Sequence, residues 1–489
     1  MNAITHRIEK VFVEVNTGSL ESANIIKNKI GRFLETNVFP KLEQTLDDFN
    51  QTGRVARIDS LNLKIATLRD DYFSTLESEI VKQFAAKIES EIGFSGRKIS
   101  NDYVNENVEI LPTDKNREQV FLFFLENGHL PWFGTEEEVS EFLQPSNWEK
   151  GLDNEIFFKR LTQLLKSDNR ASERFVFQLD NILIKAFLLK LNPQIKNAEA
   201  HFNTLLQRLP SISRHYFFKL LFLISTTGEK RKLLLAANDF KDSLGKFIQK
   251  INEESSSMLH AHLTDLFHKT DWISDDDKEK LTDIIFAPFN IADLKKTDLK
   301  EADFLDESLK ENEIELESFF EKQEGEIAVQ NAGLVLIHPF LKTFFKAVDF
   351  LNEKGQIKNS AVHVAIQTLH FLATGSDDFF EGNLVFEKFL CGMPLKMSVE
   401  KESLLSEKVK AESLQLLAEV IRQWAALKNT SPEGVRQMFF QRNGKLVQKD
   451  SNFKLIVERK AQDILLDKLA WNISLVKIPW LNELLYIEW

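Results

Sequence analysis

Apolar residues recur at the spacing of an amphipathic helix in repeated short clusters from Glu155 to about Lys250. A long helical rod would need a heptad pattern that runs without breaks, and the chain does not have one. No fixed repeat period is visible either, so the pattern does not predict a solenoid. It predicts a packed helical domain over residues 155–290. The clusters include Leu161, Leu164 and Leu165, then Leu183, Phe187 and Leu191, then Phe217, Leu220, Leu221 and Ile224.

The N-terminal segment has a different pattern. Apolar and polar residues alternate at 11–15 and again at 61–65, which is the period of an extended strand. Between them the sequence predicts a helix that Ser19 caps and that Pro40 kinks or divides. We therefore expect a strand-helix-strand unit within an α+β domain at 1–93.

The rest of the chain divides by composition. Residues 94–154 are interpreted as a linker that carries a Leu-Pro-Trp segment. Residues 291–327 are dense in acidic and basic residues, which favours a linker or a solvated helix and leaves open a contact with a basic partner surface. Residues 328–489 combine helical faces with strand-like alternation, notably at 453–457. The predicted class is α+β, multidomain and predominantly α-helical, with a mixed C-terminal domain.

Composition excludes several classes of function. The net charge is −12 with acidic and basic residues interleaved, which argues against a nucleic-acid or anionic-membrane partner. The chain has 41 Phe against 4 Tyr and 7 Trp, a bias typical of core packing. Its single cysteine, Cys391, lies among apolar residues and fits a small core side chain better than a nucleophile. We find no signal peptide and no apolar run of membrane-spanning length.

No arrangement of residues predicts catalysis or metal binding. His260, His262 and His268 lie close in sequence, but residues two apart on a helix do not share a face. His363 and His370 are two helical turns apart, about 10 Å, which is too far for one metal ion. The phosphate-binding loop, the dinucleotide fingerprint, the zinc-protease motif and the nucleophile elbow are all missing from the sequence. We expect no cofactor, no metal and no enzymatic activity.

Short motifs occur in a fixed order at both ends of the chain. His6 to Val15 reads HRIEKVFVEV and is followed by FPKLE at 39–43, RIDSLNL at 57–63 and FLENGHLPWF at 124–133. The later motifs are NAGLVLIHPFL at 331–341, AVH at 361–363, FLATG at 371–375, LCGMPL at 390–395, WAALKNTS at 424–431, EGVR at 433–436, VERK at 457–460, IPW at 478–480 and IEW at 487–489. In this order the chain resembles the tape measure proteins of extracellular, phage-tail-like contractile injection systems. His129 stands where that family is expected to have Arg.

The resemblance implies a structural component of a bacterial injection particle, one that sets the length of the inner tube or nucleates tube assembly. It also implies contact with tube and baseplate subunits, and with further copies of the chain. A wholly helical chain would span at most about 730 Å, at about 1.5 Å per residue. The expected location is the bacterial cytoplasm during assembly, and then the particle lumen. The alternatives are a cytosolic assembly chaperone or cargo-loading factor for the same particle, and an enzymatic cargo protein.

Aromatic residues and prolines in the motifs are the candidate partner contacts, because Trp is favoured at binding hot spots. Packing within the core or between domains is the competing interpretation. The candidates are Pro131, Trp132, Pro339, Trp424, Trp480 and Trp489.

Overall fold

The computed structural model of the chain describes most of its residues and is the basis of every structural statement below. The described residues are 6–49, 53–66, 72–92, 103–105, 107–226, 230–249, 251, 253–268, 281, 283–285, 326–402, 405–449 and 452–489. They divide into two compact units. The first comprises Met1–Phe121 and Pro131–Phe142, and the second comprises Leu122–Leu130 and Leu143–Trp489.

The first unit combines helices with a small antiparallel sheet. Ser19 caps the first helix by accepting a hydrogen bond from the Ser22 backbone N–H, as the sequence predicts. A π-helical turn at Leu34–Val38 precedes Pro40, which lies in the first turn of the next helix, where a missing N–H costs little. The elements are α1 (Leu20–Phe33), α2 (Phe39–Asp48), β1 (Arg54–Ile58), α3 (Tyr72–Ile92), β2 (Tyr103–Asn105), β3 (Val108–Pro112), the start of α4 (Thr113–Asn127) and α5 (Glu136–Phe142).

The sheet of the first unit has the order β1-β3-β2, and both of its pairings are antiparallel. The central strand β3 contributes to the core because Val108 and Ile110 are buried against the helices. The other buried members of this core are Val38, Leu42, Ile80, Phe84 and Ile88.

Two strand predictions for this unit are wrong. Residues 11–15 belong to no strand of the described part, and neither do residues 61–65; the strand in that stretch is β1, Arg54–Ile58. Alternation reports an extended backbone and two unlike faces, but it does not specify a hydrogen-bonding neighbour. Within the segment 94–154, interpreted above as a linker, the described residues form β2, β3 and α4 between Tyr103 and Asn127. Residues 94–102 lie outside the described part.

The second unit is mainly helical. After the end of α4 its helices are α6 (Pro145–Asp153), α7 (Glu155–Ser167), α8 (Asn169–Gln178), α9 (Asn181–Leu191), α10 (Glu199–Arg208), α11 (Ser211–Thr226), α12 (Lys230–Ile248), α13 (Glu253–His268), α14 (His338–Ala347), α15 (Val362–Thr374), α16 (Val385–Cys391), α17 (Glu407–Gln423) and α18 (Pro432–Val435). Shorter 3₁₀ turns occur at Pro193–Ala198, Ala332–Ile337, Asn359–Ala361, Glu381–Asn383, Ala425–Leu427 and Ala461–Lys468, and a π-helical turn at Arg436–Phe440.

The sheet of the second unit gathers strands from widely separated parts of the sequence. Its strands are β4 (Glu326–Val329), β5 (Gly444–Lys449), β6 (Asn452–Val457), β7 (Leu475–Val476) and β8 (Leu485–Glu488), in the order β4-β5-β6-β8-β7. Strands β6 and β8 are parallel, and the other neighbours are antiparallel.

The predominantly α-helical α+β class is confirmed. The helical pattern after Glu155 corresponds to α7–α12, and the alternation at 453–457 corresponds to β6, whose apolar residues are buried. Residues 291–325 of the acidic segment lie outside the described part, and residues 326–327 begin β4. The division into five segments stays a prediction about which parts fold independently. In the described residues no helix is both long and apolar enough to cross a membrane.

Candidate functional site

Three charged side chains with essentially no solvent exposure form one cluster in the second unit. They are Arg174 on α8, Glu381 in a 3₁₀ turn and Lys388 on α16. A charge is removed from water at a large cost unless it is paired and hydrogen-bonded. The polar geometry of the cluster is therefore tightly specified.

Glu381 is the centre of this cluster. Its Oε1 accepts a hydrogen bond from Arg174 Nε at 3.0 Å and another from Lys388 Nζ at 2.7 Å. Its Oε2 accepts from Ser398 Oγ at 3.1 Å. One carboxylate thus joins three segments that are distant in sequence.

Backbone carbonyl oxygens satisfy the remaining donors of the two cations. Lys388 Nζ donates to Leu395 O at 3.1 Å and to Met397 O at 2.8 Å, while Arg174 donates to Leu125 O and Lys396 O. Residues 395–397 therefore turn successive carbonyl groups toward the cluster.

Helix α8 carries a second polar contact with the same segment. Gln178 lies four residues after Arg174 and so shares its helical face. Its side-chain amide donates to Val399 O at 2.5 Å. Together Arg174 and Gln178 fix α8 against residues 381–399.

Burial shifts the protonation equilibria around the cluster. Burial acts to raise the pKa of Glu381, but the charges of Lys388 and Arg174 outweigh it and lower that pKa below its ordinary value. Burial lowers the pKa of Lys388 to about 8, and Glu381 opposes that change. Glu381 is therefore ionised at neutral pH, and its two partners carry positive charge.

Two nearby groups have shifted equilibria of their own. Burial, with Glu381 as a second contribution, raises the pKa of Glu173 to about 7. Burial also lowers the pKa of His129 to about 4, and the positive charges of Lys388 and Arg174 act in the same direction. A neutral imidazole is thus retained beside two buried cations.

The Gly128-His129 motif closes over this cluster. Gly128 has φ of +75°, and a Cβ there would lie 2.5 Å from Leu395 O and 2.7 Å from Arg174 Nη2. Only glycine allows both the left-handed backbone and this close approach. The ring of Phe124, in the same motif, lies 4.7 Å from that of Phe380, centre to centre.

The other motifs named above also pack against one another. A Cβ on Gly333 would overlap the carbonyl group of Phe439. The NAGLVLIHPFL segment at 331–341 is therefore in direct backbone contact with the segment EGVRQMFF at 433–440. Arg436 donates from Nε to Leu372 O at 3.1 Å, at the carboxyl end of α15. Gly375, which ends that helix with φ of +78°, leaves the space that the Arg436 guanidinium occupies.

A second buried arginine holds the end of the chain. Arg442 donates to Met438 O at 2.7 Å and to Asp463 Oδ1 at 2.7 Å. The other oxygen of Asp463 accepts from the Trp489 indole N–H at 3.1 Å. These contacts join Trp489, the last residue of the IEW motif, through Asp463 and Arg442 to Met438.

The six candidate partner contacts do not form one site. Trp424 is fully buried and donates to Leu465 O at 3.0 Å, and Trp480 donates to Leu390 O at 2.7 Å. Trp489 is half-buried and donates a hydrogen bond to Asp463, and Pro131 is buried. Trp132 and Pro339 are exposed. A role for these residues in binding a partner stays a prediction.

Cys391 does not have the surroundings of a reactive thiol. It is buried at the end of α16, and burial, with Glu387 nearby, raises its pKa well above the ordinary value. His363 is mostly buried and accepts a weak hydrogen bond from the Glu400 N–H at 3.4 Å. His370 contacts the Asp378 carbonyl oxygen at 3.2 Å.

The histidines of α13 do not act as a set. His262 instead approaches His201 of α10, with 3.0 Å between their Nδ1 atoms, and Asp265 Oδ2 lies 3.5 Å from His201. Within the described ranges, no group of three or more His, Cys, Asp or Glu residues could hold a metal ion. These polar groups join helices α10 and α13.

Sequence reasoning did not identify Arg174, Glu381 or Lys388. One signal was available, because Arg174 directly precedes the apolar run Phe175–Phe177, and Lys388 interrupts the apolar run at 385–391. A charged residue on the apolar face of a helix indicates a buried partner. The identity of that partner is a tertiary contact and cannot be obtained from local spacing.

The chain matches a protein-family model described as "Contractile injection system tape measure protein" over residues 5–489. The match includes every motif and every residue of the buried cluster. No curated protein and no solved structure matches the chain.

Proposed function

Because this chain belongs to the contractile injection system tape measure protein family, we propose that it acts without catalysis in particle assembly, either setting the length of the inner tube or nucleating it. The observation that carries the proposal is that the shared motifs serve the fold. Gly128, Gly333 and Gly375 each create a close approach between segments, and the buried charges at Glu381 satisfy one another. That family is a structural class rather than a class of enzymes.

The dimensions of the helices bear on the mechanism. The longest helix in the described part, α3 at Tyr72–Ile92, has 21 residues. At about 1.5 Å per residue it spans roughly 32 Å. The contacts of Glu381 also fold α8 back onto residues 381–399. A fully extended ruler would have to break these contacts, which supports a chain that acts at least partly in its folded form.

The length of assembled particles distinguishes the two mechanisms. An insertion of about thirty helix-forming residues into 291–325 adds roughly 45 Å of contour if they are helical. If the chain is a ruler, electron microscopy of purified particles will show tubes that are longer in proportion. If the chain nucleates assembly, particle number will change and tube length will not.

A scrambled sequence of the same length at 291–325 is the matched control. It keeps the contour length and the composition, so the ruler mechanism predicts an unchanged tube. A change in tube length with the scrambled segment would contradict counting by contour length.

We also propose that the chain contacts tube and baseplate subunits, that it works in the bacterial cytoplasm during assembly, and that it then lies in the particle lumen. Quantitative mass spectrometry of intact purified particles tests this location. A chain that is required for assembly but missing from the particle would instead favour the cytosolic chaperone or cargo-loading role.

A further inference from the structure

Two histidine rings contact each other between helices α10 and α13 of the second unit. The Nδ1 atoms of His201 and His262 lie 3.0 Å apart, and the ring centres lie 5.3 Å apart. We call these two residues the histidine pair. Two ring nitrogens at this distance share a single hydrogen, because one must donate it and the other must accept it with a lone pair. The contact therefore requires that one of the two Nδ1 atoms carries no hydrogen.

A carboxylate assigns the two roles. Asp265 Oδ2 lies 3.5 Å from Nδ1 of His201. A negative charge beside a ring nitrogen favours the hydrogen on that nitrogen. His201 is therefore the donor of the pair. His262 is the acceptor, and in its neutral form it carries its hydrogen on Nε2.

The surroundings of His262 oppose its protonation. Burial lowers the pKa of His262, and His201 and Arg208 act in the same direction, while Asp265 opposes them. A proton on His262 is therefore bound less readily in the folded chain than in the unfolded chain.

The other charged groups around the pair have partners or face elsewhere. Lys185 on α9 donates to Glu199 on α10 at 2.9 Å, and Lys196 in the 3₁₀ turn before α10 adds positive charge beside Glu199. His260 lies two residues before His262 on α13, so the two side chains do not share a face of the helix. The charges that act on His262 are therefore those of His201, Arg208 and Asp265.

Apolar packing accompanies the histidine pair. Helix α10 packs against α13, and both helices bury apolar side chains. These are Phe202, Leu205 and Leu206 on α10, and Leu259, Leu263, Leu266 and Phe267 on α13. A change at the pair that separates the two helices therefore exposes apolar surface.

We propose that the histidine pair is a pH-sensitive contact, in which a proton bound at Nδ1 of His262 removes the acceptor, sets two N–H groups against each other and loosens α13 from α10. The sign follows from the lowered pKa of His262. The pair contributes fully to the free energy of unfolding above pH 6.5, the ordinary pKa of histidine, and this contribution is lost as the pH falls below that value.

Hydrogen exchange of α13 tests the proposal. We expect the opening constant of the α13 amides, corrected for the intrinsic exchange rate at each pH, to rise roughly tenfold from about pH 7.5 to about pH 5.5. Helix α11 is the internal reference, because the pKa of its buried His215 is lowered to about 3 and that ring does not titrate in this range. Equal opening of α13 at the two pH values overturns the proposal.

An asparagine variant assigns the effect to His262. In His262→Asn the side-chain oxygen takes the position of Nδ1, so it still accepts from His201 but binds no proton in this range. The rise in α13 opening should therefore disappear. The matched control is His260→Asn on the same helix, which should keep most of the rise. A rise that persists in His262→Asn, or that is lost in His260→Asn, contradicts the assignment.

The ring hydrogens of the wild-type chain give a measurement that depends on no variant. In nitrogen NMR of the histidine side chains at neutral pH, His201 should show the Nδ1–H form and His262 the Nε2–H form. On acidification, the His262 signal should change over the same pH range as the opening of α13. A neutral His262 in the Nδ1–H form, or a His262 that titrates without any opening of α13, rejects the proposal.

Discussion

Glu381 accepts hydrogen bonds from a guanidinium, an ammonium and a hydroxyl group, and all four side chains are buried. Removing one member of such a set leaves the others without compensation in a medium of low polarity. The cost then far exceeds the net stabilisation that the intact pair gives. At the residue scale, the buried polar cluster of the second unit therefore depends on each donor and acceptor having its partner, rather than on any single strong contact.

Glu381→Gln should lower the free energy of unfolding by about 3–5 kcal/mol, because it keeps the shape but leaves Arg174 and Lys388 as uncompensated buried cations. Urea unfolding followed by circular dichroism measures the change. The matched control is Glu419→Gln, a partly exposed carboxylate paired with Arg422 on α17, which should change stability little. Similar losses for the two variants would contradict the assigned role of Glu381.

His129 and Glu173 should make the free energy of unfolding change with pH in opposite directions. The pKa of His129 is lowered from 6.5 to about 4, so its contribution is lost as pH falls through that window, on the order of 3 kcal/mol in all. The pKa of Glu173 is raised from 4.5 to about 7, so its contribution is lost as pH rises between those values.

Between pH 4.5 and 6.5 the two slopes oppose each other. His129→Gln should make the increase of stability with pH shallower, and Glu173→Gln should make it steeper. Urea unfolding at several pH values measures both slopes. If the two variants and the wild-type chain give parallel curves, the burial of these groups is not what sets their protonation.

At the scale of elements, the motifs act in pairs. The 3₁₀ turn Ala332–Ile337 lies against the π-helical turn Arg436–Phe440, and the end of α15 lies against Arg436. Each contact depends on a glycine that lets two backbones approach. Motifs that are far apart in the sequence thus contact one another in pairs in the fold.

Gly333→Ala should abolish soluble folded protein, because the added methyl group would overlap the Phe439 carbonyl and backbone atoms cannot move aside cheaply. Gly31→Ala in α1 is the matched control. An added Cβ there meets no heavy atom within 4 Å, and alanine favours a helix over glycine by about 0.5–1 kcal/mol. Soluble yield and thermal midpoint measure both, and a well-folded Gly333→Ala chain would disprove the close approach.

The sequence predicts elements best where local signals suffice. Helical spacing through Leu369 and a left-handed Gly375 define α15, and Ser19 defines the start of α1. Local signals fail where a partner decides the outcome. Residues 11–15 alternate like a strand but have no strand neighbour in the described part, and Arg174 meets Glu381 across more than two hundred residues.

At the scale of the whole second unit, contacts link segments that precede and follow residues 286–325. Arg174 with Glu381, Gln178 with Val399, and Phe124 with Phe380 all connect the two sides. The segments before and after this stretch should therefore stay associated even when the chain is cut within 291–325.

A protease site placed within 291–325 should give two fragments that still co-elute after cleavage. Size-exclusion chromatography followed by gel electrophoresis measures this. With Arg174→Met added, the cleaved fragments should separate at a lower urea concentration, since Glu381 and Lys388 stay paired but α8 loses its anchor. Immediate separation of the cleaved wild-type chain would show that 155–285 and 326–489 are independent.

The pairing of β4 with β5 has a consequence for synthesis on the ribosome. The nascent chain exposes Glu326–Val329 well before Gly444–Lys449 leaves the exit tunnel, because α14–α18 are made in between. During that interval β4 is an open strand edge, and such edges favour aggregation while long-range pairing is pending. Slow translation after residue 329, or a chaperone that shields β4 until β5 emerges, would therefore govern how much of the newly made protein reaches its native state.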